Sequence, residues 1–372
     1  MKVPFYDIKA QYDELQTQMD KVVHDVVSGG AYIMGPNHRA FEEECAALHG
    51  VKHGIAVNSG TDALRIILDA IRVGAGDEVI TTAFTFVAST ETIVQTGASP
   101  VFVDIDPVTY CIDPSKIEAA ISPRTKAIMP IHLFGQLSDV EALKSISKKH
   151  NLPIVEDAAQ AFGCHHNGVY AGNFGVAAAF SFYVTKNLGA CGDGGMIVTN
   201  DDSIAETCRS LRIHGMGRER YYYDHVGYTS RLSELNAAFM RVKLAALGEW
   251  NERREKLANV YLDTLSGAEV QLPETQPGNN NTWHQFSIRS DRRDALQSFL
   301  KEREVDAMIY YPVPLHFHDP YRRFGNGEGS LPETERAAHE ILNLPIHPHL
   351  SEEQVRFAAE SIREFCQAKV QA

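Results

Sequence analysis

Cysteine is sparse and poorly placed for a metal or a staple. The 372 residues carry Cys45, Cys111, Cys164, Cys191, Cys208 and Cys366, and none form a C-x-x-C pair. That scatter argues against a zinc site and against a disulfide framework, so reduced, buried thiols are expected. No apolar run reaches the roughly 18 residues of a spanning helix. The start, MKVPFYDIKAQYDEL, lacks the apolar segment and cleavage site of a secretory leader, and a cytoplasmic location is expected. Basic residues are in deficit: 35 Lys and Arg stand against 48 Asp and Glu, a net charge of −13. Such a balance disfavours nonspecific binding to nucleic acid or to an anionic membrane. It leaves an anionic small substrate open, because a pocket can be locally basic. Two nucleotide motifs are also missing. There is no G-x-x-x-x-G-K-[ST], and no G-x-G-x-x-G follows the first predicted strand.

What is present is a soluble composition, 44% hydrophobic and 22% charged, in a chain long enough for about two domains. Tyr12, Leu15, Met19, Val22 and Val26 recur at helical spacing and stop at Gly29 and Gly30. A second helix follows Asn37, with Phe41, Cys45 and Leu48 inward. Then strands and helices alternate. Predicted strands lie at 54–57, 78–82, 100–105, 126–131 and 153–157, with amphipathic segments between them. Two more strands are expected at 177–182 and 196–199. Short turns between alternating elements imply an α/β fold whose mostly parallel sheet is covered on both faces. A long helix is expected at 232–265, with a break in it. The Pro-, Gly- and Asn-rich stretch 273–281 reads as a loop. Past it the pattern changes to strands at 283–289 and 307–310 and helices at 293–303 and 352–365. The expected division is a large domain, 1–265, and a smaller α+β domain, 266–372.

Three segments carry chemistry. Ser59-Gly60-Thr61 lies between a strand and a helix, where free N–H groups and the helix dipole favour an anion; an ordinary helix cap would look the same. The apolar run 152–155 delivers Glu156 and Asp157 to a strand's C-terminal end, where open α/β sheets place their ligands. Lys186 follows the apolar strand containing Ser181 and is succeeded by Gly189, Gly192, Gly194 and Gly195. A lone lysine is most often a solvated surface charge, but a buried one with a lowered pKa can form a Schiff base with an aldehyde. Together with the aromatic segment Phe84-Thr85-Phe86, these supply phosphate donors, a ring stack, an anion for a ring nitrogen and a Schiff-base lysine. Pyridoxal phosphate needs those four things.

The sequence resembles the sugar-nucleotide aminotransferases of the DegT/DnrJ/EryC1/StrS family, pyridoxal phosphate enzymes of fold type I. The likeness runs from Val3-Pro4-Phe5-Tyr6-Asp7 to Leu344-Pro345-Ile346-His347-Pro348. It is carried by Asn58-Ser59-Gly60-Thr61-Asp62-Ala63-Leu64, Gly76-Asp77-Glu78-Val79-Ile80, Glu156-Asp157-Ala158-Ala159-Gln160, Thr185-Lys186-Asn187-Leu188-Gly189 and Gly192-Asp193-Gly194-Gly195. The resemblance implies a mostly parallel seven-stranded sheet flanked by helices and a homodimer. It casts Lys186 as the Schiff-base and proton-carrying residue. Asp157 would pair with the pyridine nitrogen, Gln160 with the ring hydroxyl and Phe86 with the ring face. Gly60, Thr61 and Ser181 would bind the phosphate. Thr229 stands where relatives place an Asn that completes the partner's phosphate site. Arg231, Tyr310, Tyr311 and His316 would face the substrate, with Arg212 and Arg218 as further candidates for a diphosphate. Val184, Cys191, Asn236 and Tyr310 depart from the usual pattern. The implied reaction moves an amino group from an amino acid, glutamate foremost, to the keto carbon of a dTDP-linked 3-keto-6-deoxyhexose. A UDP-linked 3-keto sugar, a 4-keto sugar nucleotide and a non-catalytic regulatory relative remain alternatives. The 3-dehydratases of the same fold replace the lysine with His, and Lys186 argues against that activity.

Overall fold

The computed structural model describes residues 1–368. Its central strands are apolar on both sides, and their alternation feeds two cores. In Ala177–Ser181, Ala178 and Phe180 enter one core, Ala177 and Ala179 the other. In Gly195–Thr199, Met196 and Val198 part from Ile197 in the same way. Four strands lie in the order His53–Val57, Gly195–Thr199, Ala177–Ser181, Val155–Asp157. Three more lie in the order Ser99–Val103, Glu78–Thr82, Thr125–Ile128. Parallel bridges from Ile128 to Ile154 and from Ile131 to Asp157 join the two sets into one seven-stranded layer. Gly195–Thr199 runs against both neighbours, and the other paired strands are parallel. The expected α/β architecture is therefore the observed one.

Helices Pro36–His49 and Glu234–Leu265 cover one face through Phe41, Cys45, Met240 and Leu247. Helices Gly60–Ala70, Ala88–Gln95 and Asp202–Leu211 cover the other through Leu64, Ile67, Ile93 and Cys208. The first helix, Ile8–Gly29, ends where Gly30 turns left-handed, with φ of 71°. Glu234–Leu265 is one continuous helix, without the expected break. Its early part joins the sheet core, and Leu257, Tyr261 and Leu265 join a C-terminal core with Val3, Phe286, Leu296, Leu342 and Ile362.

Three C-terminal elements differ from expectation. Residues 307–310 form only one bridge, Met308 to Asn343, rather than a strand. Helix Pro332–Glu340 and strand Ile341–Leu344 escaped the pattern, because the helix buries only Thr334, Ala337 and Ala338 and so shows no apolar period. Pro332 with Glu333 and Glu335 in the first turn was its readable start signal. Cys191 is exposed, contrary to the expectation of buried thiols; the other five are buried.

Adjacent positions on a strand face opposite ways, and this separates the two carboxylates at 156 and 157. Glu156 is fully buried and accepts from Gly172 N at 2.8 Å, Phe174 N at 2.9 Å and Gly175 N at 2.8 Å. His132 Nε2 donates to it at 3.1 Å, since His132 Nδ1 accepts from Ser138 N. Glu156 thus pins the 172–175 turn beneath the site. Glu156→Gln would set an amide NH2 against these donors. It is expected to lower stability by about 3 kcal/mol in urea unfolding. A loss below about 1 kcal/mol would contradict this role.

Candidate active site

Loops at the C-terminal edge of the parallel strands converge on a cleft of about 450 Å³. At one end lies the start of helix Gly60–Ala70. Ser59 caps it, accepting from Asp62 N at 3.0 Å. The Gly60 and Thr61 N–H groups make no hydrogen bond among the described residues, so both remain free to meet an anion. Ser181, at the end of Ala177–Ser181, closes this end. A Cβ on Gly60 would stand 2.7 Å from the Ser181 Cβ, and one on Gly195 would stand 2.3 Å from the Ser59 carbonyl oxygen. Glycine at both positions is what lets two strands and a helix start meet here.

Asp157, at the end of Val155–Asp157, is buried on the cleft floor. Burial pushes its carboxyl up from the ordinary value; the Ser89 hydroxyl, the Ala159 amide and the Lys186 charge oppose that shift. Ser89 Oγ donates to its Oδ2 at 2.6 Å. Gln160 is oriented by two bonds: its Oε1 accepts from Phe134 N at 2.9 Å, and its Nε2 donates to Tyr311 Oη at 3.2 Å. The second Nε2 hydrogen remains for a ligand oxygen. Phe86 is 56% exposed, an aromatic face left open beside the cleft, and Ala159 leaves room for a flat group.

Lys186 lies on the loop after Ala177–Ser181 and reaches the same cleft. Its Nζ has no hydrogen bond or salt bridge among the described residues. Burial pulls its pKa from 10.5 down to about 8, with the Asp157 charge opposing. An amine that titrates near neutral pH is both a nucleophile and a proton carrier.

Of the residues singled out in the sequence, Gly60, Thr61, Phe86, Asp157, Gln160, Ser181, Lys186, Tyr310 and Tyr311 line this cleft together. Thr229, Arg231 and His316 stand outside its lining. Thr229 is exposed, with its hydroxyl 3.1 Å from His214 Nε2, and Arg231 is half-buried. His316 is buried with its Nε2 3.3 Å from Glu335 Oε1. Arg212 is not free for a diphosphate: it is buried and donates to the Glu42 carboxylate and the Ala56 carbonyl. Arg218 is exposed and bonded to Glu206.

Sequence reading missed Tyr6, Ser89, Tyr183 and His284, which also line the cleft. Ser89 follows the end of a parallel strand by a few residues, a position that could have marked it. Tyr6 and His284 come from distant segments and carried no local signal. Tyr6 Oη lies 3.1 Å from Tyr310 Oη. Burial raises the Tyr310 and Tyr311 phenols, so both stay protonated. His284 Nδ1 is 3.2 Å from Asn187 Oδ1; burial first, then the Lys186 and Arg254 charges, hold this imidazole neutral.

Residues 13–363 match the DegT/DnrJ/EryC1/StrS aminotransferase family. A pleiotropic regulatory protein of Geobacillus stearothermophilus is 48% identical over 98% of this chain and 99% of its own. A dTDP-3-amino-3,4,6-trideoxy-alpha-D-glucose transaminase of Streptomyces venezuelae is 43% identical over 100% of this chain and 98% of its own. The crystal structure of S. venezuelae DesV with a ketimine intermediate superposes with a TM-score of 0.96 at 43% identity, covering 98% of this chain and 99% of that one.

Proposed function

The chain belongs to the DegT/DnrJ/EryC1/StrS aminotransferase family, and from that premise we propose that it aminates a nucleotide-linked sugar with pyridoxal phosphate as cofactor. The amino donor is an amino acid, L-glutamate. The acceptor is the keto carbon of a dTDP-linked 3-keto-6-deoxyhexose, and the product is a dTDP-linked 3-amino sugar. One observation carries this reading: unbonded helix N–H groups, an open aromatic face, a buried carboxylate and a lysine with a depressed pKa share one cleft.

The residues present fit the cofactor. Gly60 packs closely against Ser181, and the Gly60 and Thr61 N–H groups are unbonded among the described residues, as a phosphate requires. Gly60 N, Thr61 N and the Thr61 and Ser181 hydroxyls would bind that phosphate. Phe86 would stack on the ring, Gln160 Nε2 would donate to its hydroxyl oxygen, and Asp157 would pair with its nitrogen. When bound, pyridoxal phosphate supplies an electron sink for the carbon that loses a proton. Lys186 Nζ would anchor the cofactor; once displaced by the donor's amine, the freed Nζ would take the proton from the donor's α-carbon in one half-reaction and deliver a proton to the sugar carbon in the other. Tyr310 and Tyr311 remain protonated and so offer donors to substrate oxygens. Arg231 and His316 stay candidates for substrate contact only through a rearrangement or a second subunit.

A homodimer is part of the proposal. Ile33 is 62% exposed and Val226 is 95% exposed, and Ile33 bridges to Ser233, beside the segment that bears Thr229 and Arg231. A second copy would cover these side chains and bring Thr229 to the other cleft. Light scattering of the purified chain checks the state.

The regulatory name of one relative makes a cofactor-binding regulator the second reading. Absorbance separates the two. The enzyme is expected to show a visible band with pyridoxal phosphate that glutamate bleaches, and a panel of dTDP- and UDP-linked keto sugars should restore it. A band that glutamate leaves unchanged would favour a regulator.

A further inference from the structure

Asp157 is an anion in a place that disfavours anions. The titratable groups facing it are Lys186 from the loop after Ala177–Ser181, His132 from the segment after Thr125–Ile128, and Tyr311 from the C-terminal part of the chain. None forms a salt bridge or hydrogen bond with its carboxylate among the described residues. Two donors do reach it: Ser89 Oγ at 2.6 Å and Ala159 N at 3.2 Å. The hydroxyl contact has the length of a charge-assisted bond, and the amide contact is long.

Ser89 itself is buried, with its Oγ 3.0 Å from the buried Thr85 Oγ1. A hydroxyl has one proton to give. An ionised carboxylate has none, so Ser89 donates to Asp157. Thr85 must then be the donor in the Thr85–Ser89 pair. The result is a one-way chain, Thr85 to Ser89 to Asp157, in which each bond polarises the next. Thr85 and Ser89 are four residues apart where the chain enters helix Ala88–Gln95. Phe86 lies between them, so one short segment supplies both an aromatic face to the cleft and the support of its anion.

We propose that Ser89 is a positioning residue for Asp157, and Thr85 for Ser89: the hydroxyl chain keeps the carboxylate ionised and fixed at the cleft floor. The inference rests on the reading of Asp157 as the partner of the cofactor's ring nitrogen. The role is electrostatic and not merely spatial, so shape-preserving variants expose it. Ser89→Cys keeps the volume but offers only a weak donor. Thr85→Val keeps the shape and loses the proton.

The test titrates the cofactor-free, full-length protein with pyridoxal phosphate between pH 5 and 9, read by visible absorbance. Removing a donor from a carboxylate raises its pKa, so the carboxyl protonates at higher pH and pairing is lost sooner on the acid side. Ser89→Ala and Ser89→Cys are expected to weaken cofactor binding about tenfold. Both should move the acid-side midpoint up by about one pH unit. Thr85→Val should act in the same direction by about threefold. Wild-type affinity and midpoint in Ser89→Cys would overturn the proposal. If the Ser89 variants do not fold, an unshifted Thr85→Val overturns it instead. Asp157→Asn is the control. If it too leaves binding and the acid limb unchanged, the reading of Asp157 has failed, which is distinct from a failure of Ser89 alone.

Discussion

Lys186→Ala is expected to slow amino transfer by at least about 10⁴-fold, the upper end of what one acid–base group supplies, because it also removes the anchoring amine. The cradle at Gly60, Thr61 and Ser181, the Phe86 face and Asp157 all remain. Cofactor should therefore still bind, without its covalent link. Equilibrium dialysis and rate measurement together check this: the rate collapses while the bound fraction persists. Loss of the cofactor and the rate together would show that Lys186 acts mainly in binding. The depressed pKa has its own readout. In the cofactor-free protein the Lys186 amine should titrate at about 8, against 10.5 for an ordinary lysine. Competitive amine labelling across pH measures it, and a midpoint near 10 would contradict the burial argument.

Asp157→Asn is expected to reduce turnover by about 10²- to 10³-fold, the scale of losing one preorganised electrostatic contact. The asparagine can still accept from Ser89, so the geometry survives while the charge does not. The effect on the fold runs the other way. Burial raises the folded-state pKa of Asp157 above its unfolded value. The ionised form is therefore favoured more in the unfolded chain. Stability from this group is present at low pH and declines as pH rises through the unfolded and then the folded pKa. At neutral pH the charge weakens the cofactor-free fold. Cofactor-free Asp157→Asn should thus melt no lower than wild type in a thermal scan, while its catalysis is crippled. A lower melting temperature would mean that the carboxylate is better satisfied than its surroundings suggest.

The sequence alone determined the α/β alternation, because strands buried on both faces and amphipathic helices have different periods that survive in a one-dimensional string. It also marked the local parts of the site. A cap before a helix, a carboxylate ending an apolar strand and a lysine in a glycine-rich turn each leave a signal within a few residues. Lys186, Asp157 and Gly60 were legible for that reason. What a side chain faces is a different matter. Glu156 and Asp157 read alike, yet strand pleating sends one to a buried turn and the other to the cleft. Arg212 looked available for a phosphate until the fold closed Glu42 over it. Tyr6 and Tyr310 are 304 positions apart and share a hydrogen bond. Only the tertiary structure decided these, since long-range contact depends on how the sheet and the C-terminal core pack together, and no local pattern encodes that.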